Sequence, residues 1–349
     1  MRGQATMSDT TITVYDIAKE AGVSPATVSR VLTGSAKVNE DKKKRIQDLI
    51  VKYDFEPNGF ARSLSKQESK TIGMIVPDIR NPYYSTMFVN CEKEALLRGY
   101  SMILCNTINE ISSESGHLRN LSEKCVDAII QVGGNADEVN PGSDYIELVN
   151  KIAKKTPLVV AGEMGGADVY RIVSEHTHGM QTLLEYLIGL GHKEIAMIGG
   201  RSNIVPTLKK RKILYNFLKE QGIYFKEKFM IDSDYSFEGG YAGAQTLFTL
   251  GELPTAIIAI NESSAMGIIK ALNEKGIRVP EDISVIGYDN TFYSEMISPQ
   301  LTCISYNLED YAVLIMDTIV NIVNKIEIER IQYIPTNLII RDSCRNIEL

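Results

Sequence analysis

The chain has 349 residues, five cysteines and a net charge of −7, with 44% hydrophobic and 23% charged residues. These values fit a globular protein of two or three domains and argue against a disordered, collagen-like or disulfide-stapled chain. The scattered cysteines form no Cys-x-x-Cys pair for zinc, and no apolar run suits a signal peptide or a membrane span, so we expect a cytoplasmic protein.

Charge is distributed unevenly along the chain. Residues 1–66 carry 11 Lys and Arg against 8 Asp and Glu, a net +3, which leaves −10 for residues 67–349. The densest cationic run is Asp41-Lys42-Lys43-Lys44-Arg45. A basic segment on an acidic body is typical of a module that contacts phosphates. The same run also suits the solvated face of an exposed helix, and charge alone does not decide between the two.

Three short helices are predicted within the basic segment. Thr13-Val14-Tyr15-Asp16 fits a capping box, and Gly22 stands where a helix needs a left-handed stop. Ser24 is a suitable N-cap for a second helix with Pro25 at its first position, and a third helix begins near Asn39. Two short helices joined by a tight turn indicate a helix-turn-helix, whose second helix enters the major groove of DNA.

The stretch from Thr13 to Leu32 resembles the DNA-binding headpiece of the LacI/GalR family of bacterial transcriptional regulators, and the likeness continues from Phe55 to Leu64, the family's hinge segment. The resemblance implies a headpiece over residues 1–56, a hinge helix and linker over 57–70, and an effector-binding and dimerisation domain over 71–349. It also implies the following DNA-contacting residues: Thr13, Tyr15, Ser24, Pro25, Ala26, Thr27, Ser29, Arg30, Asn58, Ala61 and Leu64.

Two of these residues have roles that can be stated physically. Arg30 is the strongest candidate for reading a base, because a guanidinium can bond bidentately to guanine; the alternative is a salt bridge on the headpiece surface. In the family, a leucine at the position of Leu64 wedges between base pairs in the minor groove. The hinge helix that begins after Asn58 spans only about two turns, so we expect it to order on DNA. The alternative is a plain linker with Leu64 packed on the body.

From Thr71 onward, short β-branched runs alternate with helical patterns, at residues 72–76, 101–104, 128–132, 157–160, 195–198, 255–260 and 283–287. This rhythm predicts an α/β body of two Rossmann-like lobes of doubly wound parallel sheet. We place the lobes at about residues 71–172 plus 307–331 and about 173–306 plus 332–349. Ligands bind beyond the carboxyl ends of such strands, so the cleft between the lobes is the expected ligand site.

Several body segments, among them residues 77–84 and 279–290, resemble the family's effector domain, which is related to periplasmic sugar-binding proteins. The resemblance implies a periplasmic-binding-protein-like fold and a small polar effector, a sugar or derivative, contacted by Tyr83, Tyr84, Arg211, Asn261 and Asp289. Each has a structural alternative: core packing for the two tyrosines, and hydrogen bonding at strand ends for the other three.

Three departures from the family's pattern bear on the pocket: Glu262 stands where relatives commonly have Asp, Leu214 where they have Gly, and Glu175 where they have Asp. They leave the shape of the pocket open. His176 and His178 lie beside Glu175, and we expect them to be solvated rather than to bind a metal.

No sequence motif for catalysis is present: the chain has no Walker loop, no G-x-G-x-x-G after a strand and no Gly-x-Ser-x-Gly elbow. We therefore expect no enzyme, no cofactor and no membrane partner, but a DNA-binding repressor. It should act as a homodimer on a pseudo-palindromic double-stranded operator, and the lack of added leucine heptads favours a dimer over a tetramer. Two alternatives stay open. One is a catabolite-control-type regulator promoted by a corepressor or a phosphorylated partner protein, and the other is a non-transcriptional sugar-binding protein.

Overall fold

The computed structural model describes residues 12–33, 38–55 and 69–348. It divides into two compact units between Ser69 and Lys70. The described part of the first unit contains helices α1 (Val14–Ala21), α2 (Pro25–Thr33) and α3 (Glu40–Lys52). The predicted hinge residues Asn58, Ala61 and Leu64 lie outside the described residues.

Side-chain caps fix the ends of the headpiece helices as predicted. The Thr13 hydroxyl accepts from the Asp16 amide at 3.3 Å, and the Asp16 carboxylate accepts from the Thr13 amide at 2.9 Å. Gly22 ends α1 with a φ of 65°, a conformation that glycine adopts without steric cost. The Ser24 hydroxyl accepts from the Thr27 amide at 3.3 Å, which starts α2. Each such cap stabilises a helix by about 1 kcal/mol.

A small apolar core holds the three helices together. Its buried residues are Ile17, Ala18, Ala21, Val28 and Ile46. At the surface, the Glu20 carboxylate of α1 accepts from the Lys52 ammonium at 2.8 Å and from the Tyr53 hydroxyl at 2.7 Å. This contact joins α1 to the end of α3, so the described headpiece forms a unit with its own core.

The second unit consists of two β-sheets with helices on their faces. Its strands are β1 (Thr71–Val76), β2 (Ser101–Asn106), β3 (Ala128–Val132), β4 (Leu158–Ala161), β5 (Tyr170–Ser174), β6 (Ile195–Ile198), β7 (Met230–Ile231), β8 (Ala256–Ala259), β9 (Ser284–Asp289), β10 (Thr302–Ser305), β11 (Ile331–Ile334) and β12 (Asn337–Ile339). Its helices are α4 (Pro82–Leu97), α5 (Ile111–Glu123), α6 (Ser143–Ala153), α7 (His176–Gly189), α8 (Val205–Glu220), α9 (Phe237–Phe248), α10 (Glu262–Glu274), α11 (Tyr293–Met296) and α12 (Leu308–Val323).

The prediction of two doubly wound sheets is confirmed. The first sheet has the order β11-β5-β4-β3-β1-β2 and is parallel throughout; the second has the order β12-β10-β9-β8-β6-β7, with β12 antiparallel to β10. We call the parts built on these sheets lobe 1 and lobe 2. Strands β5 and β11 extend past the predicted lobe boundaries at residues 172 and 331, and both strands belong entirely to lobe 1.

The chain passes between the lobes three times: after β5, after β10 and between β11 and β12. The central strands β3, β4, β6, β8 and β9 are buried along their whole length. This burial explains their continuous apolar sequences, because a parallel strand is covered by helices on both faces. The carboxyl ends of the strands in both lobes therefore carry the polar residues available for binding.

Candidate DNA interface and effector cleft

The beginning of α2 presents most of the residues predicted to meet base edges. Ser24, Pro25, Ala26 and Arg30 are exposed, whereas Thr27 and Ser29 are partly buried. Arg30 makes no ion pair with any residue that the structure describes, so its guanidinium is available to a ligand. This availability favours base reading over the alternative of a surface salt bridge.

The other predicted headpiece contacts lie on α1 and α3. Tyr15 is 73% exposed, while the Thr13 hydroxyl is engaged as a helix cap. On α3, the exposed Lys42, Lys44 and Arg45 have no ion-pair partner among the residues described. Exposed cations without carboxylate partners suit contact with DNA phosphates.

A cavity of about 160 Å³ lies between lobe 1 and lobe 2. Since one water needs roughly 10–15 Å³ measured in this way, the cavity has room for a small organic molecule. It lies where the sequence predicts, at the carboxyl ends of strands from both sheets. The predicted residues Tyr83, Tyr84, Asn261 and Asp289 all line it.

Arg211, the fifth predicted effector residue, does not line this cavity. Its guanidinium donates to the carbonyls of Gly199 and Gly200, at 3.1 and 2.8 Å, and lies 2.7 Å from the Asp232 carboxylate. These contacts favour the structural alternative for Arg211, which is hydrogen bonding at strand ends. The preceding residue, Lys210, lines the cavity instead, because one step along a helix turns a side chain by about 100°.

Lys210 is an unusual cation because it is only 4% exposed. Its ammonium lies 3.8 Å from the centroid of the Tyr288 ring and 5.7 Å from that of Tyr306. No described carboxylate lies within 4 Å of this ammonium. Burial lowers the pKa of Lys210, while the charges of Asp289 and Asp137 oppose that shift. The aromatic rings thus replace part of the solvation that the ammonium loses.

Asp289 ends β9 in a strained turn, with a φ of 95° at Asp289 and 60° at Asn290. Its carboxylate accepts one long hydrogen bond, at 3.4 Å, from the backbone amide of Glu262. The buried Glu262 carboxylate in turn accepts from the hydroxyls of Thr291 and Ser294, which fixes the turn. Burial, and then the nearby Glu262 charge, raises the pKa of Asp289. The Glu262 side chain therefore holds the turn that follows Asp289, while its charge disfavours ionisation of Asp289.

Aromatic side chains form one wall of the cleft. The Tyr83 ring meets those of Tyr84 and Tyr306 edge-on, with centroids 5.2 and 5.8 Å apart, and Tyr306 stacks on Tyr288 at 6.1 Å. His176 was expected to be solvated, which is wrong: it lines the cavity, edge-on to Tyr306 at 5.8 Å. Its Nδ1 is buried without a hydrogen-bond partner in the described chain, and burial lowers the pKa of His176 to about 3.

Two short segments join the lobes at the cleft, and we call residues 137–139 and 203–205 the latch. The Val139 amide donates to the Asn203 carbonyl at 2.9 Å, and the Val205 amide donates to the Asp137 carbonyl at 2.8 Å. The Asn203 side-chain amide also donates to both oxygens of Glu138, at 2.9 and 2.8 Å. The cleft in this structure is therefore closed by direct bonds between the lobes.

A helix-turn-helix unit and a two-lobed binding unit together define a class of ligand-responsive DNA-binding regulators. Residues 13–58 match the family described as bacterial regulatory proteins, lacI family, and residues 184–344 match the periplasmic binding protein-like domain. Within the described residues, no helix is long and apolar enough to cross a membrane, and no group of three His, Cys, Asp or Glu side chains suits a metal ion.

Relatives match the chain over nearly its whole length. Catabolite control protein A of Priestia megaterium is 30% identical over 96% of this chain and 99% of its own. The HTH-type transcriptional repressor PurR of Actinobacillus pleuropneumoniae is 34% identical, again over 96% of this chain and 99% of its own.

Solved structures match the fold. The lac repressor dimer bound to operator and the anti-inducer ONPF has a TM-score of 0.82 at 23% identity, over 96% of this chain and 100% of that one. A LacI family transcriptional regulator from Enterococcus faecium, solved with bound ribose, has a TM-score of 0.69 at 25% identity, over 79% of this chain and 99% of that one.

The chain belongs to the lacI family of bacterial regulatory proteins. The prediction of a DNA-binding transcriptional repressor rather than an enzyme is confirmed by these relatives, which are transcriptional regulators.

Proposed function

We propose that this repressor binds a pseudo-palindromic operator as a homodimer and that a small polar effector, a sugar or derivative, occupies the cleft and changes its operator affinity. The observation that carries the proposal is a cavity between the two lobes, lined by polar and aromatic side chains, in a chain that also has a helix-turn-helix. The relative from Enterococcus faecium, solved with bound ribose, supports a sugar as the effector class.

The DNA contacts fall into two groups. The exposed beginning of α2 enters the major groove, where Arg30 bonds to a guanine and Pro25 and Ala26 give apolar contact, for example to a thymine methyl. Lys42 and Lys44 contact phosphates, which adds affinity without sequence preference. Asn58, Ala61 and Leu64 belong to the hinge, and Leu64 wedges into the minor groove.

The effector contacts come from both lobes. Asp289 and Asn261 bond to the effector from lobe 2, and Tyr83 or Tyr84 covers one face of it from lobe 1. Lys210 takes the cationic position that the sequence assigns to Arg211. Binding rotates one lobe relative to the other and so changes the spacing of the two hinge segments in a dimer. A hinge helix of about two turns tolerates little change of spacing before it melts.

The test uses the full chain and an operator fragment selected by the protein from random DNA. Operator affinity is measured by fluorescence anisotropy with sugars, sugar phosphates, nucleosides and purines, and the oligomeric state by light scattering. We expect a dimer and at least one small molecule that changes operator affinity. Linkage is reciprocal, so operator DNA must change the affinity for that molecule by the same factor.

Two results would contradict the proposal. A tetrameric mass at micromolar concentration would exclude the dimer, and a complete lack of response to the panel would exclude a small effector of these classes. An operator affinity that rises with the ligand would identify a corepressor. A response to a phosphorylated protein alone would identify the catabolite-control-type alternative, for which the similarity to catabolite control protein A is the supporting observation.

A further inference from the structure

A buried polar cluster in lobe 1 contacts the loop that leads from β3 to the latch. Its three members come from three elements: Glu114 from α5, Gln131 from β3 and Tyr145 from α6. The Gln131 side-chain amide donates to the Glu114 carboxylate at 2.9 Å and to the Tyr145 hydroxyl at 2.7 Å. The Tyr145 hydroxyl donates to Glu114 at 2.9 Å. The Glu114 carboxylate is thus the common acceptor of a bonded triangle.

Glu114 also bonds to the loop itself. The Asn135 backbone amide donates to its two oxygens, at 3.1 and 3.3 Å, and Asn135 belongs to a single 3-10 turn over Gly134–Ala136. Burial raises the pKa of Glu114 to about 6, while the hydrogen bonds from Asn135 and Tyr145 oppose that shift. The carboxylate is therefore ionised at neutral pH and acts only as an acceptor. The loop is held to α5 by a charge-assisted hydrogen bond.

The loop approaches the carboxylate closely because a glycine stands at the contact. Gly134 has a φ of 62°, which residues with a side chain adopt only rarely. A Cβ added at Gly134 would lie 1.8 Å from Oε1 of Glu114, far inside van der Waals contact. Both the backbone conformation and the space therefore favour glycine at this position, and the loop is fitted to the carboxylate.

The loop continues directly into the latch. The Asp137 amide donates to the Gly134 carbonyl at 3.1 Å, and the Glu138 amide donates to the Asn135 carbonyl at 3.3 Å. The same residues, 137–139, form the lobe 1 side of the latch. A displacement of the turn that Glu114 holds must therefore displace the atoms that bond to lobe 2.

A direct contact with an effector is the alternative role for Glu114, because this residue also lines the cavity. Its two oxygens already accept from Gln131, Tyr145 and the Asn135 amide. A carboxylate offers about four acceptor sites, so little capacity is left for a ligand. The bonds that Glu114 makes thus favour a role through the loop.

We propose that Glu114 is a positioning residue for the latch: it fixes the loop after β3 so that residues 137–139 meet residues 203–205, and it thereby sets how firmly the two lobes are closed. This inference goes beyond the proposed function, because it holds whichever effector occupies the cleft.

The first experiment measures hydrogen exchange by mass spectrometry on the full chain without added ligand. The reporters are the amides of Val139 and Val205, which donate across the latch. We expect Glu114→Ala to speed their exchange by about tenfold, as loss of a charge-assisted hydrogen bond implies. The control is Glu123→Ala, which removes an exposed carboxylate at the end of α5 that has no ion pair among the described residues.

The distribution of the faster exchange separates positioning from a general structural role. The amides of β5 and α12 belong to the same lobe, and neither element contributes to the cluster. If Glu114 acts on the latch, their exchange should change by less than about twofold in Glu114→Ala. A general loss of stability would speed exchange in these elements as well as in the latch.

Conservative variants test which property of Glu114 matters. Glu114→Gln keeps an acceptor at the same reach for the Asn135 amide. The Tyr145 hydroxyl lies within bonding distance of both polar atoms of the Gln131 amide, so a half-turn of that amide can restore the triangle. Glu114→Asp keeps the charge but is one methylene shorter. We expect latch exchange to rise about threefold in Glu114→Gln and about tenfold in Glu114→Asp.

A pair of glycine variants tests the same contact from the loop. Gly134→Ala and Gly142→Ala both place a side chain at a positive φ, 62° and 85°, but the added Cβ at Gly142 meets nothing within 4 Å. The two changes share the backbone strain, and only Gly134→Ala collides with Glu114. We expect faster latch exchange in Gly134→Ala and unchanged latch exchange in Gly142→Ala.

Three results would overturn the inference. The first is unchanged latch exchange in Glu114→Ala, and the second is exchange that rises equally across lobe 1. The third is a smaller effect of Glu114→Asp than of Glu114→Gln, which would mean that the charge matters and the position of the acceptor does not. Circular dichroism melting verifies the fold of each variant. If Glu114→Ala does not fold, the conservative pair and the glycine pair decide.

Discussion

The headpiece and the cleft both present charged groups that form no ion pair with a described residue, but their surroundings differ. Arg30, Lys42 and Lys44 are exposed and solvated, so leaving them unpaired costs the fold little. Asp289 and Lys210 are 6% and 4% exposed, so water compensates their charges poorly. We therefore expect the headpiece to bind DNA through charge attraction that salt screens. In the cleft, a ligand should replace the hydrogen bonds that burial removes, by donating to Asp289 and accepting from Lys210.

The largest effect is expected at Asp289. Asp289→Asn is the suitable change, because asparagine, unlike alanine, tolerates the left-handed region that a φ of 95° requires. We expect effector affinity to fall by about ten- to a hundredfold, since a buried charge-assisted hydrogen bond is lost. Operator affinity without effector should stay near that of the unchanged protein, as anisotropy would show. Full effector affinity in this variant would remove Asp289 from the site.

The second largest effect is expected at Arg30, in the headpiece. Arg30→Ala should weaken operator binding by about 1–3 kcal/mol and relax the preference at one base pair. Lys44→Ala is the matched control, since loss of a phosphate contact should weaken all sequences alike and reduce the salt slope by about one. Equal losses on operator and random DNA for Arg30→Ala, measured by anisotropy, would exclude base reading.

The pH dependence of the melting temperature tests whether the ionised Asp137 carboxylate in the cleft destabilises the fold. Because the pKa of Asp137 is raised to about 7, the folded protein holds its proton where the unfolded chain has lost it, and the carboxylate destabilises the fold increasingly as pH rises from about 4 to 7. Asp137→Asn removes this effect. Its melting temperature without effector should therefore exceed that of the unchanged protein at pH 8 by about a few degrees, and the difference should shrink by pH 5.

The opposite sign would contradict that interpretation. A variant that melts lower than the unchanged protein at every pH would mean that Asp137 stabilises the empty fold. The comparison between variant and unchanged protein is required because His176, with its pKa lowered to about 3, shifts the stability of both proteins in the other direction.

The smallest expected effect concerns the latch. Asn203→Ala removes the two side-chain bonds to Glu138 but leaves the backbone bonds between the lobes. Effector dissociation should become faster by about three- to tenfold, because the closed cleft loses one charge-assisted contact. Stopped-flow tyrosine fluorescence would measure the rate, with the exposed Asn273 of α10 replaced by alanine as control. An unchanged dissociation rate would show that the Asn203–Glu138 contact of the latch does not control release of the effector.

Local signals in the sequence were sufficient for the headpiece. Thr13 and Ser24 accept hydrogen bonds from backbone amides three residues away, and Gly22 adopts the left-handed conformation that ends α1. These helix ends could therefore be predicted without knowing the tertiary structure. The seven β-branched runs likewise mark seven strands of the sheets. Strands β5, β7, β10, β11 and β12 were not predicted, and most of them lie at sheet edges or next to a crossing between lobes, where burial is incomplete or pairing is distant in sequence.

The cleft could be predicted in part. Tyr83, Tyr84, Asn261 and Asp289 lie at or after strand ends, which the topology brings together, but choosing Lys210 rather than Arg211 required the orientation of α8. One signal was present: Thr207, Lys210, Leu214 and Leu218 share the buried face of that helix, so Lys210 stands at a position that a core residue would occupy. Asp137 and Asn203 gave no such signal, because their roles depend on contact between distant segments.

The three crossings between the lobes have a consequence for how the protein is made. Lobe 1 is completed by β11 and lobe 2 by β12, and both strands come from residues 331–339. During synthesis the headpiece, with its own core, can fold as soon as it leaves the ribosome. Neither sheet of the body has all of its strands until residues 331–339 have emerged from the ribosome. A DNA-binding unit is thus complete well before the unit that controls it, and a nascent chain stalled before residue 331 would carry a headpiece without a finished effector cleft.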